Sequence, residues 1–135
     1  MKGLRKTAWA LLLVCLGTTA CAPKSQVQSQ PALVEDDLYF GLSTSNGPVT
    51  RAQWEGFLNE QVTPRFPDGL TVLDAKGQWK NAQGNIGKEP TKVLILIHPD
   101  NPGADKAVQT LIDIYKKEFH QESVMKVRSR PQVSF

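Results

Sequence analysis

The run VLILIH at residues 93–98 constrains the fold more than any other feature, because five of its six residues are large and aliphatic. Successive side chains of a strand point to opposite faces of the sheet. A strand that is apolar on both faces belongs in the middle of a sheet, and helices can cover only one of those faces. A large apolar surface left exposed usually marks a binding site. We therefore expect the second face to be covered by another copy of the chain, by a long hairpin or by a bound molecule.

Hydrophobic periodicity and turn residues predict six elements after residue 36. They are strands over 37–43, 70–81, 86–99 and 123–129, with one helix between Thr50 and Pro64 and another after Asn101. The order β-α-β-β-α-β is the split βαβ, or ferredoxin-like, pattern. We predict an α+β ferredoxin-like sandwich, with an antiparallel four-stranded sheet and two helices on one face. The first and third strands are central in that topology, and they contain the two most apolar strand runs.

Both helices begin with capping residues. Thr50 and Gln53 have the spacing of a capping box, and Asn101 followed by Pro102 is a favourable helix start. Apolar residues then recur at helical spacing, so each helix has one side for the sheet. These stripes are Trp54, Phe57, Leu58 and Val62 in the first helix, and Val108, Leu111, Ile112, Tyr115 and Phe119 in the second.

The N-terminal segment has the order of a secretory signal peptide. Basic residues come first, an uncharged apolar stretch follows over 8–16, and small residues at 18–20 precede Cys21. The apolar stretch is too short to span a bilayer as a helix, which needs about 20 residues. A cysteine in this place resembles the lipobox of bacterial lipoproteins, although Thr18 stands where leucine is commoner.

The resemblance to a lipobox divides the chain into three parts. We predict a cleaved signal peptide over 1–20, a lipidated Cys21 with a flexible tether over 21–36, and one domain over 37–135. Gln, Ser and Pro dominate the tether, as in flexible linkers. An ordinary secreted protein, or a cytosolic protein with an apolar start, is the alternative.

A lipid anchor on Cys21 implies a membrane partner and an envelope location. Ala22 replaces the aspartate that commonly retains Gram-negative lipoproteins at the inner membrane, so we expect the outer membrane, facing the periplasm. Loss of residues 1–20 removes Cys15 and three basic residues, and leaves 13 basic against 13 acidic residues. A net charge near zero gives no support for nucleic-acid binding. The mature chain also lacks a second cysteine for a disulfide.

The domain resembles a family of small bacterial proteins, many of them lipoproteins, that is catalogued as a domain of unknown function. The resemblance rests on LYFGLS at 38–43, on TPRFPDGLT at 63–71, on GQW at 77–79 and on EPTKV at 89–93. It covers about residues 37–135. It implies the domain limits and the envelope location, and it assigns no activity.

Two residues are candidates for acid–base catalysis. His98 ends the third strand just before a loop, and histidine titrates near neutral pH. Tyr39 is expected on the open face of the sheet, together with Ser43 and possibly His98. The structural alternative is that His98 caps or fills a strand end. His120, near a helix end, is better explained by a favourable interaction with the helix dipole.

Arg65, Trp79 and Glu89 are candidates for ligand binding. Arg65 lies on a loop between two prolines and could bind an anion through two hydrogen bonds, or it could pair with Asp68 or Glu89. Trp79, on the predicted hairpin, could be a platform for a ligand or a cover for the sheet. Glu89 could instead pair with Lys92 or Arg65.

Familiar catalytic motifs are missing from the sequence. There is no His-x-x-x-His and no Gly-x-Ser-x-Gly, so we predict no metal and no cofactor, although a metal site from His98, Asp100 and Glu89 is conceivable. Our main hypothesis is a binding module that uses the open sheet face for an envelope protein, for itself as a homodimer, or for a small ligand. The alternative is a small cofactor-free enzyme resembling the dimeric α+β barrel group, with His98, Tyr39 and Arg65 around one cavity. A purely structural envelope protein is the third possibility.

Overall fold

A computed structural model of the chain describes residues 32–80 and 84–134. The predicted signal peptide, Cys21 and most of the tether lie outside the described residues. The elements are β1 (Leu33–Gly41), β2 (Ser43–Thr44), β3 (Gly47–Pro48), α1 (Arg51–Phe57, continued by a π-helical turn over Leu58–Val62), β4 (Thr71–Lys80), β5 (Ile86–Pro99), α2 (Pro102–Glu118) and β6 (Met125–Ser129). Within this part of the chain, no helix is both long enough and apolar enough to cross a bilayer.

The main sheet has the strand order β4-β5-β1-β6 and is antiparallel throughout. The predicted ferredoxin-like fold is confirmed, and β1 and β5 are the central strands as expected. Strand β5 spans 86–99, as the pattern predicts. A small hairpin, β2–β3, occupies the segment expected to be a plain loop.

Strand β1 begins at Leu33, four residues before the predicted start. The segment Leu33–Asp36 pairs with Leu96–Pro99 of β5, so it belongs to the sheet. Its acidic residues interrupt the alternation of apolar and polar residues by which a strand is identified in a sequence. In the structure the even-numbered residues from Val34 to Phe40 are buried, and the odd-numbered residues from Leu33 to Tyr39 are partly exposed.

The predicted capping residues start both helices. The Thr50 side chain accepts a hydrogen bond from the Gln53 amide, and the Gln53 side chain accepts one from the Thr50 amide. The Asn101 side chain accepts a hydrogen bond from the Ala104 amide. A side-chain cap of this kind stabilises a helix by about 1 kcal/mol, so both helices have well-defined starts.

The core lies between the sheet and the two helices, and aromatic rings fill its centre. Phe40 of β1 contacts Tyr115 of α2 with ring centroids 4.5 Å apart, and it contacts Phe57 of α1 at 5.6 Å. The Tyr115 hydroxyl donates a hydrogen bond to the Gly41 carbonyl. Each such ring pair contributes about 0.5–1.5 kcal/mol beyond its area burial. The cluster therefore fixes both helices against the end of β1.

Candidate functional site

The two faces of the sheet separate the sequence candidates. On β5, Leu94, Leu96 and His98 point to the helices, whereas Val93, Ile95 and Ile97 point to the open face, as the antiparallel register with β1 requires. The expectation that His98 could share the open face with Tyr39 is wrong. The parity of β5 places His98 beneath the helices and opposite Val34 of β1.

The open face carries the apolar surface that the sequence predicts. Large side chains on it are 42 to 56 % exposed. They are Leu73 and Trp79 of β4, Ile97 of β5, and Met125 and Val127 of β6. Several large apolar side chains exposed on one face of a sheet favour an interaction site there.

Charge is also distributed unevenly between the two sides of the sheet. The strand residues on the open face include Glu35, Asp37 and Glu89 but no lysine or arginine. The basic strand residues lie on the opposite side: Lys76, Lys80, Lys88, Lys92, Lys126 and Arg128. One carboxylate oxygen of Asp37 is buried without a hydrogen-bond partner. The open face is therefore apolar and acidic.

A cleft of about 590 Å³ lies at one end of the open face. We call it the hairpin cleft, because β4 and β5 of the long hairpin form one wall. The end of β1, the loop after it and the chain between α2 and β6 form the remainder. Its principal lining residues are Tyr39, Gly41, Ser43, Gly77, Trp79, Glu89, Thr91, His120, Gln121 and Met125. Three sequence candidates thus meet here: Tyr39, Trp79 and Glu89.

Glu89 is one of two carboxylates that line the hairpin cleft, and the other, Glu122, is exposed. The Glu89 carboxylate lies directly over Gly41, where a β-carbon would overlap it, and it accepts a hydrogen bond of 3.0 Å from the Ser43 amide. It forms no ion pair with a lysine or arginine of the described residues. The expected pairing of Glu89 with Lys92 or Arg65 is wrong, because Lys92 pairs with Asp74 across the hairpin on the other side.

Trp79 covers part of its own hairpin, and its role as a platform for a ligand stays a prediction. Its indole ring packs over Gly87, where an added β-carbon would lie 3.0 Å from the ring. An aromatic side chain across a strand glycine in this way stabilises the pair of strands. The ring is still 46 % exposed and lines the hairpin cleft, so it is available to a ligand.

Arg65 and His98 line a different cleft. This cleft of about 270 Å³ lies between the loop after α1 and the start of α2. The Arg65 guanidinium donates hydrogen bonds to the backbone and side-chain oxygens of Gln61, at 2.7 and 3.2 Å, so the expected pairing with Asp68 is wrong. The sequence candidates are therefore divided between two clefts on opposite sides of the sheet.

His98 belongs to a buried network of charged groups. Its Nε2 lies 3.1 Å from a carboxylate oxygen of Asp36, and its Nδ1 lies 3.0 Å from the carbonyl oxygen of Pro99. The Phe66 ring covers the imidazole at 5.6 Å between centroids. Both ring nitrogens are thus used within the protein. A general acid or base needs a nitrogen within hydrogen-bond reach of its ligand.

Arg128 completes this network. It donates two hydrogen bonds to Asp36, of 2.8 and 2.6 Å, and one to Asp105, of 2.6 Å. Burial alone would raise the pKa of Asp36, but the hydrogen bonds from Arg128 and His98 hold it below its ordinary value of 3.8. The hydrogen bonds with Asp36 and Asp105 raise the pKa of Arg128. Asp36 is therefore a carboxylate at neutral pH, and its charge is balanced inside the protein.

The last two candidates from the sequence are His120 and a metal site formed by His98, Asp100 and Glu89. His120 is exposed, has a positive φ of 52° at the end of α2, and lines the hairpin cleft. Glu89 and His98 lie nine residues apart on β5, about 30 Å at 3.3 Å per residue, so the conceived metal set is not brought together. In the described ranges, no group of three or more His, Cys, Asp or Glu side chains is placed to hold a metal ion.

Sequence reasoning missed two parts of these sites. The Ser43 amide and the space left by the missing side chain of Gly41 position the Glu89 carboxylate. Neither feature has a pattern that a sequence would reveal. The ion pair of Asp36 with Arg128 joins residues 92 positions apart. The only signal for it was the alternation of β1, where Asp36 falls in register with Val34, Leu38 and Phe40.

Residues 35–135 match the family described as protein of unknown function, DUF3574, and the chain belongs to that family. No curated protein matches the chain.

Solved structures share the fold. A phage SAM lyase in complex with S-methyl-5'-thioadenosine matches with a TM-score of 0.60 and 16 % identity, over 75 % of this chain and 83 % of that chain. The phage SAM lyase in its apo state matches with a TM-score of 0.55 and 17 % identity, over 71 % and 78 %. CutA from Synechococcus elongatus PCC7942 matches with a TM-score of 0.50 and 9 % identity, over 76 % and 79 %. At these identities the likeness concerns the ferredoxin-like fold alone.

Proposed function

We propose that this chain is a lipid-anchored envelope protein whose domain binds a small organic cation in the hairpin cleft. The observation that carries the proposal is the Glu89 carboxylate, which faces a cleft without an ion-pair partner in the described chain. Tyr39, Trp79 and Met125 supply apolar and aromatic walls around it. The proposed function is thus ligand binding at the open face of the sheet. The family to which the chain belongs has no assigned activity.

The chemistry of the cleft favours a cation with an apolar group attached. A partly buried carboxylate is costly unless it is paired, and within the described residues the Glu89 carboxylate accepts a hydrogen bond only from the Ser43 amide. An ammonium group would supply the missing charge. Aromatic rings attract cations on their faces by about 0.5–2 kcal/mol, so Trp79 and Tyr39 would add to the attraction. The ligand class is therefore an amine joined to a flat or aliphatic group.

The similar phage SAM lyase supports only the general plausibility of a small-ligand site. That protein was solved with S-methyl-5'-thioadenosine, so a ferredoxin-like domain of similar size can hold an organic molecule. The ligand of the present chain is proposed from Glu89 and its neighbours. It does not depend on the identity of that compound.

The binding test uses three probes of similar shape and different charge. Phenethylamine, phenethyl alcohol and 3-phenylpropionate are titrated into residues 30–135, which contain every described helix and strand and the whole described core. We expect saturable binding of the amine only. Glu89→Gln should weaken it roughly 10- to 100-fold, because a hydrogen bond to a charged group contributes about 1.5–3 kcal/mol.

The control for this test is Arg65→Gln, in the other cleft. It should leave the affinity for phenethylamine unchanged, because Arg65 lies on the opposite side of the sheet. Equal binding of the alcohol and the amine, or an undiminished affinity of the Glu89→Gln variant, would contradict a cation site.

The anchor is tested separately in cells. The signal order and Cys21 support a lipoprotein, so the full chain should incorporate radiolabelled palmitate and fractionate with the outer membrane. Cys21→Ser should abolish the label, whereas Cys15→Ser should preserve it because residue 15 lies within the predicted signal peptide. Label that persists in the Cys21→Ser variant would refute the anchor.

The enzyme alternative requires one cavity that holds His98, Tyr39 and Arg65. The structure divides these residues between two faces of the sheet. Both nitrogens of His98 are engaged within the protein. No observation in the described chain favours catalysis over binding.

A further inference from the structure

The long hairpin has a basic side whose residues are exposed. Lys76 and Lys80 of β4 and Lys88 of β5 lie on this side, as their pairing with Pro90, Ile86 and Gln78 requires. All three lysines are exposed, and Ile86 beside them is 60 % exposed. The three lysines form no ion pair with the described residues. This surface, the basic hairpin face, is therefore both cationic and partly apolar.

At the end away from the hairpin cleft, the open face has the opposite charge, because its charged residues are acidic. Glu35 and Asp37 lie in the central strand β1, between Ile97 and Ile95 of β5 and Ser129 and Val127 of β6. Neither carboxylate forms an ion pair with the described residues, and one oxygen of Asp37 is buried without a partner. We call Glu35, Asp37 and the exposed Ile97 and Val127 the acidic stripe.

We infer that the basic hairpin face of one chain docks on the acidic stripe of a second copy. The lysines then pair with the two carboxylates, and Ile86 covers apolar surface of Ile97 and Val127. The lengths are compatible, since Lys76 to Lys80 spans about 13 Å of strand and the stripe is shorter. The second copy thus supplies the cations that the open face lacks.

The contact joins two different surfaces, so it is heterologous and builds a closed ring or a filament. A face-to-face dimer through two open faces is disfavoured. It would bring the carboxylates of both copies onto one apolar surface without a cation between them, and like charges at an interface are repulsive. The occupant of the open face is therefore the other side of the same molecule.

The test is a charge exchange followed by light scattering of residues 30–135 over a concentration series. The hairpin variant carries Lys76→Glu, Lys80→Glu and Lys88→Glu. The stripe variant carries Glu35→Lys and Asp37→Lys. Each variant gives like charges on both surfaces, so each should shift the assembly midpoint to at least a 10-fold higher concentration than the wild type.

The combined variant carries all five substitutions and again has opposite charges on the two surfaces. We expect it to assemble near the wild-type concentration. The milder pair Glu35→Gln and Asp37→Asn should weaken assembly without introducing repulsion, which guards against misfolding of the stripe variant. Unchanged far-UV circular dichroism and a cooperative unfolding transition confirm that the variants are folded.

Three results would overturn the inference: a wild type that is monomeric throughout, an assembly that neither variant weakens, or an assembly that the neutral pair strengthens. None of these variants alters Glu89 or Trp79. The phenethylamine titration is therefore an independent test of the cation site, and either proposal can fail without the other.

Discussion

Three consecutive acidic residues of β1 have opposite surroundings. Asp36 points to the helices, is fully buried and is paired with Arg128 and His98. Glu35 and Asp37 point to the open face and form no ion pair with the described residues. Charge on the helix side is balanced within the chain, whereas Glu35 and Asp37 on the open side have no ion-pair partner among the described residues. We therefore propose that the helix side of the sheet supports the fold and that the open side binds another molecule.

The largest expected effect on stability comes from removing the Asp36 carboxylate, whose charge is balanced within the protein. Asp36→Asn should lower the free energy of unfolding by about 3–5 kcal/mol, because it leaves Arg128 and His98 without their buried anion. The same chemical change one residue later, Asp37→Asn, should change it by less than about 1 kcal/mol and can even stabilise. Urea unfolding of both variants measures the difference. Equal losses for the two variants would remove the distinction between the faces.

The pH dependence of the Asp36 contribution sharpens the same comparison. Because the pKa of Asp36 is lowered by folding, its contribution is present above the ordinary value of 3.8 and is lost as the pH falls through the folded-state pKa. The difference in unfolding free energy between wild type and Asp36→Asn should therefore be constant near neutral pH and shrink in acid. Asp105 shares Arg128 with Asp36, and the Asp36 charge affects its pKa, so the comparison is made with Asp105→Asn present in both proteins. A difference that grows in acid would contradict this assignment.

Gly41 allows a smaller and more local test on the open side. A β-carbon there would overlap the Glu89 carboxylate, so Gly41→Ala should destabilise by about 1–3 kcal/mol and displace that carboxylate in the hairpin cleft. Binding of phenethylamine should weaken with it. Gly56→Ala in α1 is the matched control, because nothing lies within 4 Å of its β-carbon. It should stabilise by about 0.5–1 kcal/mol and leave binding unchanged.

The fold was accessible from the sequence because its signals are local. The capping residues of both helices and the apolar run of β5 lie within a few positions of one another, and the order of elements follows from them. The start of β1 was missed, since Glu35–Asp37 has the composition of a tether. Only Arg128, far along the chain, explains why an aspartate can be buried there.

The residues of the hairpin cleft could be predicted only in part from the sequence. Tyr39, Trp79 and Glu89 were identified one by one from residue type and position. Their meeting depends on register, which pairs Gly77 with Glu89 and Gly41 with Thr91 across two separate strand contacts. His98 was assigned to the wrong surroundings, because a one-residue change of parity moves a strand side chain to the other face.

We propose that the open face of the sheet binds a ligand and that the side facing the helices does not. The most direct measurement is a titration of ¹⁵N-labelled residues 30–135 with phenethylamine, followed by amide chemical shifts. We expect saturable changes confined to the hairpin cleft, at residues 39–43, 77–79, 89–91 and 120–125. Changes centred instead on 65–69 and 101–104, around the cleft of Arg65 and His98, would contradict it.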